Sequence, residues 1–276
     1  MIQTVVPAGR HLPFIWGTRT YVMGIVNLSP DSFSGDGLAS ADAASAQATR
    51  MVAEGADIID IGGASTRPGA PPVFADKESE RVVPVIARLH RELKVPLSID
   101  TCQYEVARAA VAAGATILND IHGLKEEARL ACLAAEYKLP IIVTANERSR
   151  HITSDIMTEV ISDLKRAMRC CRDAGVPPEN VIVDPGIGFG KTASQNLDII
   201  RRLEELKVLG CPLLLGPSRK SFIGDILGLP ERERLEGTAA AVALGIAHGA
   251  DIIRVHDVKE MVRVARLSDA VIRAHP

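Results

Sequence analysis

The sequence predicts an α/β chain folded as a (β/α)8 barrel of the TIM type, in one domain over residues 1–276, with a short hairpin-like N-terminal lead-in. Three observations carry this expectation. About eight short apolar runs alternate with stretches of helical apolar spacing, which implies a parallel sheet covered on its outer side. Nearly every run ends in polar residues, and a closed barrel gathers all those ends around one mouth. No stretch between the units has the composition of a disordered linker. The runner-up is an open doubly wound sheet, which concentrates ligand groups near its switch point instead.

Residues 2–20 are apolar fragments broken by Pro7, Gly9, Pro13 and Gly17, and read as the lead-in. Tyr21–Leu28 is the first strong strand, running into Asn27-Leu28-Ser29-Pro30-Asp31. A helix is expected over 40–54, a strand at Ile58–Ile61, then a loop through Thr66-Arg67-Pro68. A helix over 76–92 leads to strand Pro96–Ile99, ending in Asp100. A helix over 103–113 stops at Gly114, and strand Thr116–Leu118 ends in Asn119-Asp120. The second half repeats this order. A helix over 126–137 precedes strand Pro140–Val143, which ends in Thr144-Ala145-Asn146. A long helix over 155–174 precedes strand 181–183, and a helix over 194–207 precedes strand Pro212–Leu215. Helices over 219–227 and 235–248, strand Asp251–Val255 and a helix over 258–273 complete the chain.

Composition narrows the function. The chain is 47% hydrophobic and 24% charged with a formal net charge of -2, so no global field attracts nucleic acid or an anionic membrane. Aromatics are 3%, too few for base-stacking surfaces. No apolar run is long enough to span a bilayer, and the first residues lack signal-peptide features. The five cysteines include no CxxC, so reduced thiols and a cytosolic location are expected, with no disulfide framework and no zinc site.

The chemistry centres on Val181-Ile182-Val183-Asp184-Pro185-Gly186-Ile187-Gly188-Phe189-Gly190-Lys191-Thr192. An apolar strand stops at a carboxylate, which is costly to bury without donors, and the glycines let backbone N–H groups face a ligand. P-loop spacing fails because its first glycine falls on Pro185, and dinucleotide spacing fails at Lys191. A turn in which Asp184 merely caps the next helix explains the stretch as well when it is taken alone.

The other strand ends break that tie. They carry Asn27, Thr66 with Arg67, Asp100, Asn119, Thr144 with Asn146, Asp184, Ser218 with Lys220, and Arg254 with His256. Asp100, Asn119 and Asp184 suit a flat heterocycle with several N–H donors, since a carboxylate accepts two parallel N–H bonds. Arg67, Lys220, Arg254 and His256 form a cationic class suited to phosphate. Arg219 and Lys220 stand where a helix begins, a place that disfavours cations unless an anion is bound there. Pairing of one or two of these cations with Asp257 or Glu260 is the bland alternative. Asn27 is a candidate ligand for a hydrated Mg2+. The remaining histidines, His122 among them, have no evident partner in the sequence.

From Val22 to Ile272 the chain resembles the dihydropteroate synthase family. The resemblance rests on Met23-Gly24-Ile25-Val26-Asn27, Gly62-Gly63-Ala64-Ser65-Thr66-Arg67-Pro68-Gly69, Ser98-Ile99-Asp100-Thr101, Asn119-Asp120-Ile121, Asp184 to Thr192, Ser218-Arg219-Lys220-Ser221-Phe222 and Arg254-Val255-His256-Asp257. It implies condensation of 6-hydroxymethyl-7,8-dihydropterin pyrophosphate with p-aminobenzoate to give 7,8-dihydropteroate, with Mg2+ as cofactor and a homodimer built through barrel helices. By resemblance Asp100, Asn119, Asp184 and Lys220 hold the pterin. Asn27, Arg67, Arg254 and His256 hold the pyrophosphate. Thr66, Pro68, Phe189, Lys220 and Ser221 shape the p-aminobenzoate pocket. Asp100, Lys220 and Arg67 are the expected catalytic residues, Asn27 the metal ligand, and the loops near 29–39 and 63–73 a closing lid. After the fifth strand, family members usually carry a His-Met pair where this chain has Thr144-Ala145-Asn146. Two alternatives are kept: a methyltetrahydrofolate methyltransferase of the same superfamily, and a pterin-binding protein without turnover.

Overall fold

The structure is a computed structural model and describes residues 3–4, 14–28, 41–64, 71–147 and 155–273. β1 (Gln3–Thr4) and β2 (Phe14–Ile15) pair antiparallel, which matches the hairpin-like lead-in. The remaining strands form one parallel sheet: β3 (Tyr21–Asn27), β4 (Ile58–Gly62), β5 (Leu97–Asp100), β6 (Ile117–Asp120), β7 (Ile141–Thr144), β8 (Val181–Asp184), β9 (Leu214–Leu215) and β10 (Ile252–Val255). The order is β8-β7-β6-β5-β4-β3-β10-β9, and a single parallel bridge between Val183 and Leu213 brings the two ends together. Eight parallel strands in a ring, with helices between them, make the expected (β/α)8 barrel.

The helices are α1 (Ala41–Ala53), α2 (Ala75–Glu92), α3 (Tyr104–Ala113), α4 (Arg129–Tyr137), α5 (Ile156–Asp173), α6 (Ala193–Arg201), α7 (Ser221–Leu227), α8 (Leu235–Ala247) and α9 (Val258–Ile272). Gly114 ends α3 in the left-handed conformation, as its position after the helical run predicts. Three expectations shift. The run expected as one helix over 194–207 is α6 followed by a 3-10 turn, Leu203–Leu209. The strand expected from Pro212 begins at Leu214, because Pro212 has no N–H to give the ladder. β5, β6 and β8 each continue through the polar residue expected to follow them.

The last shift has a simple cause. Strand side chains alternate, and in a barrel every second one points inward. Met23, Ile58, Ile117, Ile142, Ile182, Leu214 and Ile252 fill the lower interior as one buried cluster. Phe14, Trp16 and Tyr21 belong to the same cluster and close its base. Two residues further along the same strands stand Asp60, Asn119, Thr144, Asp184 and Arg254. The apolar plug therefore gives way to a polar layer one pleat nearer the mouth. The outward residues, such as Ile59, Ile99, Leu118, Val143 and Val183, pack in the larger core beneath the helices.

Candidate active site

The floor of the mouth is a connected polar network. Arg254 Nε donates to Asp60 Oδ2 at 2.7 Å and its Nη2 donates to Asp100 Oδ2 at 2.6 Å. Asn119 Nδ2 donates to the same Asp60 oxygen at 3.1 Å. Asp60 is fully buried, and sequence reasoning missed it. Its signal was an acid inside the otherwise apolar run Ile58-Ile59-Asp60-Ile61, where an unpaired carboxylate would be too costly. Asp60 Oδ1, Ser98 Oγ and Thr144 Oγ1 are buried and make no hydrogen bond among the described residues. Orphaned polar atoms on an inward-facing layer mark space that a ligand or water fills.

Asp184 ends β8 opposite Thr144 of β7, and its Oδ1 accepts from Gly186 N–H at 2.8 Å. The following loop is shaped by Lys191, whose buried Nζ donates to the carbonyls of Ala145 at 2.7 Å, Gly186 at 3.0 Å and Phe189 at 3.3 Å. Gly186 has φ +71°, and a Cβ there would lie 2.0 Å from Ala145 O. No other residue fits that position. Lys220 immediately precedes α7, with its Nζ 4.5 Å from the centre of the Phe189 ring. Its stem lies against Gly188, where a Cβ would approach Cδ to 3.0 Å. Ser221, the first residue of α7, is exposed beside it.

The electrostatics follow from burial. Desolvation pushes Asp100 up to about 7, against the pull of Arg254 and Lys220 and with the help of Asp60. Desolvation also raises Asp184, opposed by the Gly186 N–H, Lys220 and Arg254. Burial alone would lower Arg254, but Asp60 and Asp100 outweigh it and hold the guanidinium charged. His256 is driven well below its usual value by burial and then by Arg219, Arg254 and Lys220. Burial and the neighbouring cations therefore disfavour its charged form, in contrast to Arg254. Its Nδ1 lies 2.9 Å from Ser218 Oγ, which also accepts from His256 N–H at 3.2 Å.

Two further expectations are corrected. Arg219 pairs with the acid next to His256, its Nη2 2.6 Å from Asp257 Oδ1, so the bland alternative holds for that cation. His122 has a partner, since its Nδ1 lies 2.8 Å from Glu126 Oε2. Thr144 ends β7 two residues past the inward Ile142, whereas Asn146 donates from Nδ2 to Ile121 O at 2.9 Å. Thr66, Arg67 and Pro68 lie outside the described residues, as does most of both expected lid loops.

Asn27 stands at the end of β3, half-buried. A Cβ on Gly62 would lie 3.8 Å from Asn27 Oδ1 and 3.7 Å from Asp100 Oδ2, so both oxygens border the gap left by the missing side chain. Hard oxygen donors of this kind fit Mg2+, which keeps several waters and few protein ligands.

This geometry can hold a hydrogen-bonding heterocycle beside an anionic group. Residues 23–256 match the family model described as pterin binding enzyme. The dihydropteroate synthase of Bacillus subtilis is 49% identical over 271 residues, 98% of this chain and 95% of that protein. The chain belongs to the dihydropteroate synthases of the pterin-binding enzyme family. It is a transferase of folate biosynthesis, which sets aside the methyltransferase and the non-catalytic alternatives. Solved dihydropteroate synthases share its fold. The Clostridium difficile enzyme, solved in the presence of pteroic acid, superposes with a TM-score of 0.90 at 45% identity, over 95% of this chain and 100% of that one. The Xanthomonas albilineans enzyme, solved with 4-aminobenzoic acid, gives 0.91 at 39% identity, over 100% and 99%.

Proposed function

We propose that this dihydropteroate synthase, as one catalytic domain over residues 1–276, joins 6-hydroxymethyl-7,8-dihydropterin pyrophosphate to p-aminobenzoate and releases pyrophosphate. The observation that carries the reading is the network in which Arg254 bridges Asp60 and Asp100 beneath the mouth, with Asn119 on the same Asp60 oxygen. Pteroic acid and 4-aminobenzoic acid, with which related enzymes were solved, support it.

In this reading Asp184 and Asn119 take the hydrogen-bonding edge of the pterin. Gly186 N–H occupies one Asp184 oxygen, which leaves the other for the heterocycle. Asp100, as the ionised form, stabilises positive charge developing on the pterin methylene as the C–O bond to pyrophosphate breaks. Arg254, His256, Asn27 and Arg67 receive the diphosphate, whose developing charge is stabilised where it forms. His256 is oriented for this by Ser218, whose Oγ lies 2.9 Å from its Nδ1. Lys220, with Phe189, Ser221, Thr66 and Pro68, forms the wall against which p-aminobenzoate lies, and the amine nitrogen attacks the methylene carbon. Asn27 would hold Mg2+; when bound, that ion supplies charge neutralisation to the leaving group.

The reading extends to assembly and location. A homodimer through α6, α7 and α8 is supported by Leu197, Ile226, Leu227 and Leu244, all about half exposed on neighbouring helices. A cytosolic location fits a charged diphosphate substrate and five unbridged thiols.

The test is pyrophosphate release from the two substrates and Mg2+. Lys220→Ala should lower kcat/KM by about 100-fold or more, since it removes a group aimed at the reacting centre. An undiminished rate would overturn the site assignment.

A further inference from the structure

Outside the network above, three side chains with metal-binding chemistry converge on the outer rim. Cys102 lies two residues past Asp100, His122 two past Asp120, and Glu126 one turn further on. The Cys102 sulfur, a His122 ring nitrogen and a Glu126 carboxylate oxygen all lie within 4.8 Å of one another. His122 Nδ1 is shielded from water and makes no well-formed hydrogen bond, although Glu126 Oε2 is 2.8 Å away. The proposed reaction uses none of the three.

The segment that presents His122 and Glu126 is held firmly. The Asp120 carboxylate accepts from His122 N–H at 3.0 Å and from Leu124 N–H at 2.5 Å. Leu124 is one of the few non-glycine residues with positive φ, at 60°. Arg166 donates to Gly123 O, and Lys125 Nζ pairs with Asp163 Oδ2 at 2.8 Å. Strain that persists because its surroundings over-determine it is a feature of functional positions. Here it presents two donors in fixed directions.

We propose that Cys102, His122 and Glu126 bind one divalent ion of the zinc class, at a site separate from Asn27. The donor set decides the class. One sulfur, one imidazole nitrogen and one carboxylate oxygen suit zinc or cobalt(II), whereas Mg2+ takes oxygen donors. Ligand bonds of about 2.0–2.3 Å place tetrahedral donors roughly 3.3–3.7 Å apart, so the trio needs only side-chain rotation to close. Three protein ligands leave a fourth position for water. Binding releases the Cys102 proton to solvent as the sulfur–metal bond forms. The ligands are split between the loops after β5 and β6, so no spacing motif announces the site. An ion there ties together the loops that follow Asp100 and Asn119.

The test is titration of the chelator-treated full chain with cobalt(II). The expected result is one equivalent bound, with a thiolate-to-cobalt charge-transfer band and tetrahedral visible bands. Zinc should displace them, and excess Mg2+ should not. Cys102→Ser should abolish the charge-transfer band, while Cys132→Ser should keep it. His122→Gln and Glu126→Gln should each weaken binding by about tenfold or more. A band that survives Cys102→Ser, or binding without defined stoichiometry, overturns the site. If Cys102→Ser does not fold, unchanged cobalt affinity in both His122→Gln and Glu126→Gln overturns it equally.

Discussion

At the scale of single residues, Asp60 matters most to the mouth without standing at a strand end. It anchors Arg254 and Asn119 from a fully buried position. Asp60→Ala leaves Arg254 with one carboxylate where it had two. The expected cost is on the order of 3 kcal/mol of stability in urea unfolding, together with weaker pterin binding. Asp100 makes a different prediction. Its carboxyl titrates near 7 in the fold and near 3.9 in the unfolded chain. Between those values the folded state holds the proton more tightly, so this group's contribution to stability is complete below about pH 4 and is lost as pH rises through about 7. Activity runs the other way, because the ionised carboxylate is the working form. We expect kcat/KM for the pterin substrate to fall on the acid side of an apparent pKa near 7 in the free enzyme. A profile flat from about pH 5 to about pH 8 would remove Asp100 from that role. Asp100 was legible in the sequence as a polar strand end. Asp60 was legible only as an oddity, because its partner Arg254 lies 194 residues away.

At the scale of elements, the loop after β8 shows how a turn becomes part of a site. Asp184 can face the mouth because Gly186 folds back under it, and Gly186 can do so because it carries no side chain. Gly186→Ala should destabilise the fold by roughly 2 kcal/mol or more and disturb Asp184, since positive φ and a backbone clash coincide there. Gly210→Ala is the control. It has a similar φ of +68° but nothing within 4 Å, so about 1 kcal/mol is expected. Equal effects in thermal unfolding would count against the close-packing account. The glycines of this loop were visible in the sequence as a ligand-facing turn. The role of Lys191, which stands where the last dinucleotide-loop glycine would, lies in the tertiary structure, where its ammonium sits on three carbonyls.

At the scale of the whole molecule, the barrel is closed at its base. Phe14 and Trp16 stack at the base and Tyr21 meets both edge-on, with ring centroids 4.8–5.3 Å apart. Ring closure rests on one bridge between Val183 and Leu213 together with the packed interior. Trp16→Ala should therefore cost about 3–4 kcal/mol, read as a lowered unfolding midpoint, while the mouth at the far end keeps its substrate affinity. The sequence by itself determined the alternation of strands and helices, the closed parallel sheet and most of the polar strand ends, because these are local patterns of period and composition. Only the tertiary structure decided the charge states and partnerships. Burial set itself against a charged His256, Arg219 paired with Asp257, Asp60 joined the floor, and Cys102, His122 and Glu126 came together. Each of those outcomes depends on burial and on neighbours supplied by other loops or strands, and no pattern read along one segment contains that information.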